Sequence, residues 1–136
     1  MNAERLEIAR RLVACPKWVW LPGMAAFRPY HAGHLRIEST HESGFGMSPV
    51  IHGSCSWFSL SDLVPELDDD LTRIGVLAVV RLAHGNPLLC TYPVKMADCE
   101  PWWNVGVPWS RESGGVFCAT ARTEAAALAD ALEAAR

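Results

Sequence analysis

The sequence predicts an α+β fold, a mostly antiparallel sheet with three helices packed on it, in the order α-β-β-β-α-β-β-β-α. Three observations lead there. Helix-like segments with capping residues stand at the start, middle and end of the chain. Short alternating segments fill the two intervals between them, and Pro or Gly punctuates most junctions. Adjacent strands joined by turns pair antiparallel, and helices then bury their apolar faces against the sheet. With 136 residues, 50% of them apolar and 20% charged, the chain is long enough for one core and is expected to form a single domain over 1–136.

Asn2 to Cys15 reads as the first helix. Asn2 can cap it, Leu6, Ala9, Leu12 and Val13 recur at helical spacing, and Pro16 stops it. Lys17-Trp18-Val19-Trp20 alternates like a strand with both tryptophans on one face, and Met24 to Phe27 continues it past Pro22-Gly23. His34 to Glu38 alternates cleanly, with Leu35 and Ile37 inward. Ser39 to Ser48 is polar and carries Gly44 and Gly46, which predicts a turn or long loop. Val50-Ile51 and Ser56-Trp57-Phe58 are weaker strand segments, and Leu60 to Leu67 is a connector containing Pro65.

Asp68-Asp69-Asp70 opens the second helix, where carboxylates suit the positive end of the helix dipole. Gly85 and Pro87 close it after His84. Apolar residues on nearly every side predict a buried central helix. Leu88 to Val94 reads as a strand whose Pro93 places its end at a sheet edge. Trp102 to Val107 and Val116 to Ala119 read as two more strands. Thr123 then caps a closing helix, with Glu124 in the first turn and Leu128 and Leu132 inward.

Charge narrows the function classes. Twelve Lys and Arg against fifteen Asp and Glu give a net charge of -3, and only Arg10-Arg11 are adjacent among the arginines. Nucleic-acid binding runs on clustered basic charge and counterion release, so this balance argues against it. The segment from Met1 to Glu7 lacks the basic start and apolar run of a signal peptide, and the apolar run Ile74 to Val80 is far short of the ~18 residues of a membrane span. Five widely spaced cysteines suit reduced thiols better than a disulfide framework, so a cytoplasmic location and no membrane are expected.

The run Cys15-Pro16-Lys17-Trp18-Val19-Trp20-Leu21-Pro22-Gly23-Met24, the segment Asp62-Leu63-Val64-Pro65 before a helix ending Gly85-Asn86-Pro87, Trp103-Asn104-Val105, and the closing Thr123 to Leu128 together resemble small bacteriophage, prophage and mobile-element proteins of unknown function. The similarity spans most of the chain. It implies an accessory protein of a mobile element in a bacterial cytoplasm, and it carries no functional residues with it.

Six tryptophans are many for so short a chain. Trp102 and Trp103 stand on opposite faces of one strand by alternation, so both cannot fill the same core. Core filling explains most of the six. The remainder, Trp102 or Trp103 with Trp109, points to an exposed sheet face or groove that binds a protein partner, a second copy of the chain, or a small apolar ligand. This makes a non-enzymatic binding module the expected function. The competing class is a small metal- or thiol-dependent hydrolase-like enzyme. His31 and His34, with His52 and Cys55, offer imidazole and thiolate ligands for zinc, and Cys55 offers a nucleophile. Their spacing matches no zinc-binding knuckle, and no serine elbow or phosphate loop is present, so surface histidines and a packed thiol are the preferred reading. No cofactor is expected. The acidic run at 68–70 lacks the spacing of a calcium loop and is explained by helix capping.

Overall fold

The computed structural model describes residues 2–29, 35–43, 46–51, 63–95, 97, 100–108 and 116–135. The fold is α+β, with three helices and antiparallel strands in the expected order. The strands divide between two sheets, and the chain forms two compact units, 1–75 and 76–136.

In the first unit, α1 covers Ala3–Ala14. The Asn2 side chain accepts a hydrogen bond from the Arg5 N–H at 2.8 Å, satisfying one of the donors that every helix start leaves free. Its inward stripe is Ile8, Ala9 and Leu12. The four-stranded sheet runs β3-β2-β1-β4, from β1 (Ala25–Phe27), β2 (Leu35–Ser43), β3 (Gly46–Ile51) and β4 (Val64–Pro65). Every pairing in it is antiparallel. Pro65, which has no N–H to give a ladder, sits on the edge strand.

A turn at residues 21–24 leads into β1. The Met24 N–H donates to the Leu21 carbonyl at 3.3 Å, and Gly23 takes φ +93°, the left-handed third position of a type II turn. Gly23 and Ile37 then extend the ladder, with Gly23 N–H on the Ile37 carbonyl and Ile37 N–H on the Met24 carbonyl, both at 2.8 Å. Met24, Ala25, Ala26, Ile37, Leu63, Val64 and Leu67 join the α1 stripe in the core.

Helix α2, Asp70–His84, begins in this unit. Asp69 is its cap: one carboxylate oxygen accepts from the Thr72 N–H and from the Thr72 hydroxyl, each at 2.8 Å. Thr72 is fully buried, and its hydroxyl oxygen accepts the Ala25 N–H at 2.8 Å, tying β1 to the helix start. Arg36 binds Asp69 at 3.1 Å and the Gly23 carbonyl at 2.6 Å. The capping expected of the acidic run is thus performed by Asp69. At the other end, Gly85 takes φ +62°. Its N–H reaches the Leu82 carbonyl at 3.2 Å, and the Asn86 N–H reaches Arg81 at 3.0 Å, the paired bonds of a Schellman stop.

The second unit holds the rest of α2, the sheet β5-β6-β7 and helix α3 (Glu124–Ala134). Strand β5 covers Cys90–Val94, β6 Trp102–Val107 and β7 Val116–Ala121. The Thr123 hydroxyl caps α3 by accepting the Ala126 N–H at 3.2 Å. Helix α3 covers one face of this sheet, where Val105, Val107, Ala119 and Ala121 meet a helix rich in alanine with Leu128 and Leu132 fully buried. Burying each leucine contributes roughly 1.5–3 kcal/mol, and the small alanines let helix and sheet approach closely.

Three sequence expectations need correction. Lys17–Trp20 forms no strand; flanked by Pro16 and Pro22, this stretch packs without pairing. Trp18 and Trp20 do meet, edge to face with ring centroids 5.3 Å apart, so their alternation recorded packing rather than a ladder. The Ser39–Ser48 stretch is largely strand, because β2 and β3 pair from Ile37↔Ile51 to Ser43↔Gly46 with a register shift between Ile37 and Ser39. Backbone ladders need no apolar side chains, and polarity concealed this one. Helix α2 is not buried all round. Thr72, Val76, Val79 and Val80 are buried, while Leu71, Ile74 and Leu82 are 57%, 64% and 68% exposed.

Candidate functional site

The face of the β5-β6-β7 sheet turned away from α3 is built by the strand register. Residues directly opposite in an antiparallel pair point to the same side. Val94 stands opposite Trp102, Asn104 opposite Tyr92 on one side and Thr120 on the other, and Gly106 opposite Phe117. Along β7 the register shifts where β6 passes from Val105 to Gly106. Cys118 is the extra residue of this bulge, which brings Phe117 and Thr120, three apart, onto one face.

Val94, Trp102, Asn104, Phe117 and Thr120 line a cleft of about 350 Å³ on that face. Its walls are largely apolar, and Phe117 is 57% exposed. One polar pair crosses it: the Thr120 hydroxyl donates to Asn104 Oδ1 at 2.7 Å. At its end the Arg122 guanidinium lies over the Trp102 ring, 4.7 Å from the centroid, close enough for a cation–π attraction. Among the described residues Arg122 makes no ion pair.

Of the expected tryptophans, Trp102 is half-buried on this open face. Trp103, paired with Pro93 and Ala121, belongs to the opposite face and is also half-buried. The structure therefore separates the two as alternation requires. Trp109 lies outside the described residues. His31, His34, His52 and Cys55, the candidate metal and thiol residues, also lie outside them. Among the described residues no group of three or more His, Cys, Asp and Glu could hold a metal ion.

A different thiol and imidazole do meet in the second unit. His84 Nε2 lies 2.7 Å from the Ala131 carbonyl, and Nδ1 lies 4.0 Å from Cys118 Sγ. A carbonyl can only accept, so Nε2 carries the proton and Nδ1 is left as the acceptor for the thiol. Nucleophile, base and orienting group are thus in sequence. The electrostatics oppose thiolate chemistry, however, because burial pushes the Cys118 thiol above its ordinary range. As it stands, the arrangement is a hydrogen-bonded contact between α2, β7 and α3.

Sequence reading missed Val94, Asn104, Phe117, Thr120 and Arg122 as members of a site. Strict alternation along β7 would set Phe117 and Thr120 on opposite faces, and the bulge that unites them leaves no sequence mark. Arg122 was legible only as one scattered arginine.

Comparison with protein-family models, with curated proteins and with solved structures finds no match. Among the described residues, no helix is long and apolar enough to cross a membrane.

Proposed function

We propose that this chain is a non-enzymatic binding module whose working surface is the open face of the β5-β6-β7 sheet that carries Trp102. The observation that carries this reading is the cleft itself: a tryptophan and an exposed phenylalanine flank a polar pair on the sheet face opposite α3. A core aromatic is normally buried, and an exposed one beside a cleft leaves apolar surface that a ligand can remove from water.

The volume speaks to the class of occupant. About 350 Å³ sits at the small end of small-molecule sites and accommodates one ring-bearing group. A stable protein interface buries about 800 Å² on each partner, more than five lining residues supply. The favoured occupant is therefore a compact ligand with a planar apolar ring, held between Trp102 and Phe117 and oriented by Asn104 and Thr120.

Indole is a suitable neutral probe. Calorimetric titration should show millimolar binding to the wild type, none to the double variant Trp102→Ala/Phe117→Ala, and matching far-ultraviolet circular dichroism for the two proteins. Equal binding to a folded double variant would remove the sheet face from consideration.

A further inference from the structure

We propose that the cleft selects ring-bearing ligands that carry a carboxylate, with Arg122 as the residue that recognises it; this rests on the reading of the sheet face as a binding surface. The lining residues Val94, Trp102, Asn104, Phe117 and Thr120 are all uncharged, so the site is apolar with one polar pair. Arg122 supplies a single positive charge at its end.

The Arg122 guanidinium carbon lies 4.7 Å from the Trp102 ring centroid, a cation–π contact that leaves donors among its five N–H groups to bond an acceptor. Among the described residues no carboxylate occupies that donor fork, in contrast to Arg5, Arg36 and Arg73, which pair with Asp68, Asp69 and Asp70. The contact with Trp102 also restrains the side chain before a ligand arrives, which lowers the ordering cost that an exposed arginine otherwise pays on pairing.

Charge complementarity defines the occupant. One planar cation with paired donors matches one planar monoanion in two parallel hydrogen bonds, the geometry of arginine with a carboxylate. A phosphate monoester carries about -1.5 to -2 charges near neutral pH and three acceptor oxygens, more than one guanidinium neutralises. An aromatic carboxylate places its ring in the cleft between Trp102 and Phe117 and its anion against the Arg122 guanidinium beside Trp102.

A matched pair of probes separates the ring from the charge: indole-3-acetate and its neutral isostere indole-3-acetamide, titrated into ¹⁵N-labelled wild type, Arg122→Gln and Arg122→Lys. In the wild type the acetate should bind about tenfold tighter than the amide, a preference that weakens as salt is raised. Arg122→Gln should abolish the preference, so that the acetate binds no tighter than the amide. Arg122→Lys, which keeps the charge but loses the fork, should fall between them. Equal affinities in the wild type, with shifts at the cleft, would overturn carboxylate selection and leave the binding face standing. A preference that persists in Arg122→Gln would overturn the role of Arg122. If neither probe moves the cleft amides, the binding face itself fails and the inference goes with it.

Discussion

Replacing Asp69 by alanine removes three interactions from the start of α2. The first is the cap on the Thr72 N–H at 2.8 Å, whose loss typically costs about 1 kcal/mol. The second is the acceptor for the Thr72 hydroxyl. Thr72 is fully buried, and its alternative acceptor among the described residues, the Ala25 carbonyl, is 3.5 Å away, so about 1 kcal/mol follows from a poorly satisfied donor. The third is the pairing with Arg36. With the two side chains 49% and 23% exposed, solvent screening limits it to about 0.5 kcal/mol. Together these give a destabilisation of about 2.5 kcal/mol, a large part of the stability of a small domain. Asp69→Asn keeps a good cap and an acceptor while losing the charge, so it should cost no more than about 1 kcal/mol. Urea unfolding followed by tryptophan fluorescence reads both as midpoint shifts. If the two variants were equally destabilised, or alanine cost under about 0.5 kcal/mol, the capping network would not be what fixes this helix start. The pH dependence adds a sign. The Arg36 hydrogen bond, assisted by those from Thr72 and opposed by burial, holds the Asp69 carboxyl below its ordinary value of 3.8. A depressed carboxylate contributes stability above its unfolded value and loses it as pH falls through the folded one. The gap between wild type and Asp69→Asn should accordingly narrow on going from about pH 5 to about pH 2.

Three further outcomes follow from particular contacts. Gly75→Ala should destabilise by about 1–2 kcal/mol although alanine is the better helix former, because its Cβ would lie 2.6 Å from Met24 Cε and 2.9 Å from Cγ. In a Met24→Ala background the same change should become stabilising, and a double-mutant cycle by chemical denaturation reads the coupling. Gly85→Ala should cost about 1 kcal/mol by forcing a side chain onto φ +62°, with Gly85→Asn costing less; thermal melts of both variants check the order. Cys118 should react with iodoacetamide more slowly at pH 8 in the folded protein than in urea, as followed by peptide mass spectrometry, because burial holds its thiol protonated. A raised thiol contributes stability below its unfolded value and loses it as pH rises through the folded one, so that contribution fades at alkaline pH.

The helices were legible because their ends carry chemistry that acts locally. Asn2, Thr123 and Gly85 do in the structure what their side chains, or the lack of one, suggest within a few residues. Strands whose apolar residues alternate, such as Trp102–Val107, were equally plain. The β2-β3 ladder was not, since its register is set by backbone pairing of the polar stretch Ser39–Ser43 with a strand that carries Gly46 and Pro49 and no apolar alternation. Trp18 and Trp20 misled in the opposite direction, alternating without a partner strand. For the candidate site, the opposed placement of Trp102 and Trp103 followed from alternation alone. Phe117, Thr120 and Arg122 could not be joined to Trp102, because that depends on a one-residue bulge and on cross-strand register, both of which are long-range properties.

The most direct test of the binding face is a backbone amide map of ¹⁵N-labelled wild-type protein during an indole titration. The expected result is saturable shifts concentrated at Val94, Trp102, Asn104, Phe117 and Thr120, together with the Trp102 indole N–H, while the tryptophan pair Trp18 and Trp20 stays unmoved. Shifts centred on another part of the chain, or none at these five residues up to the solubility of indole, would contradict the account.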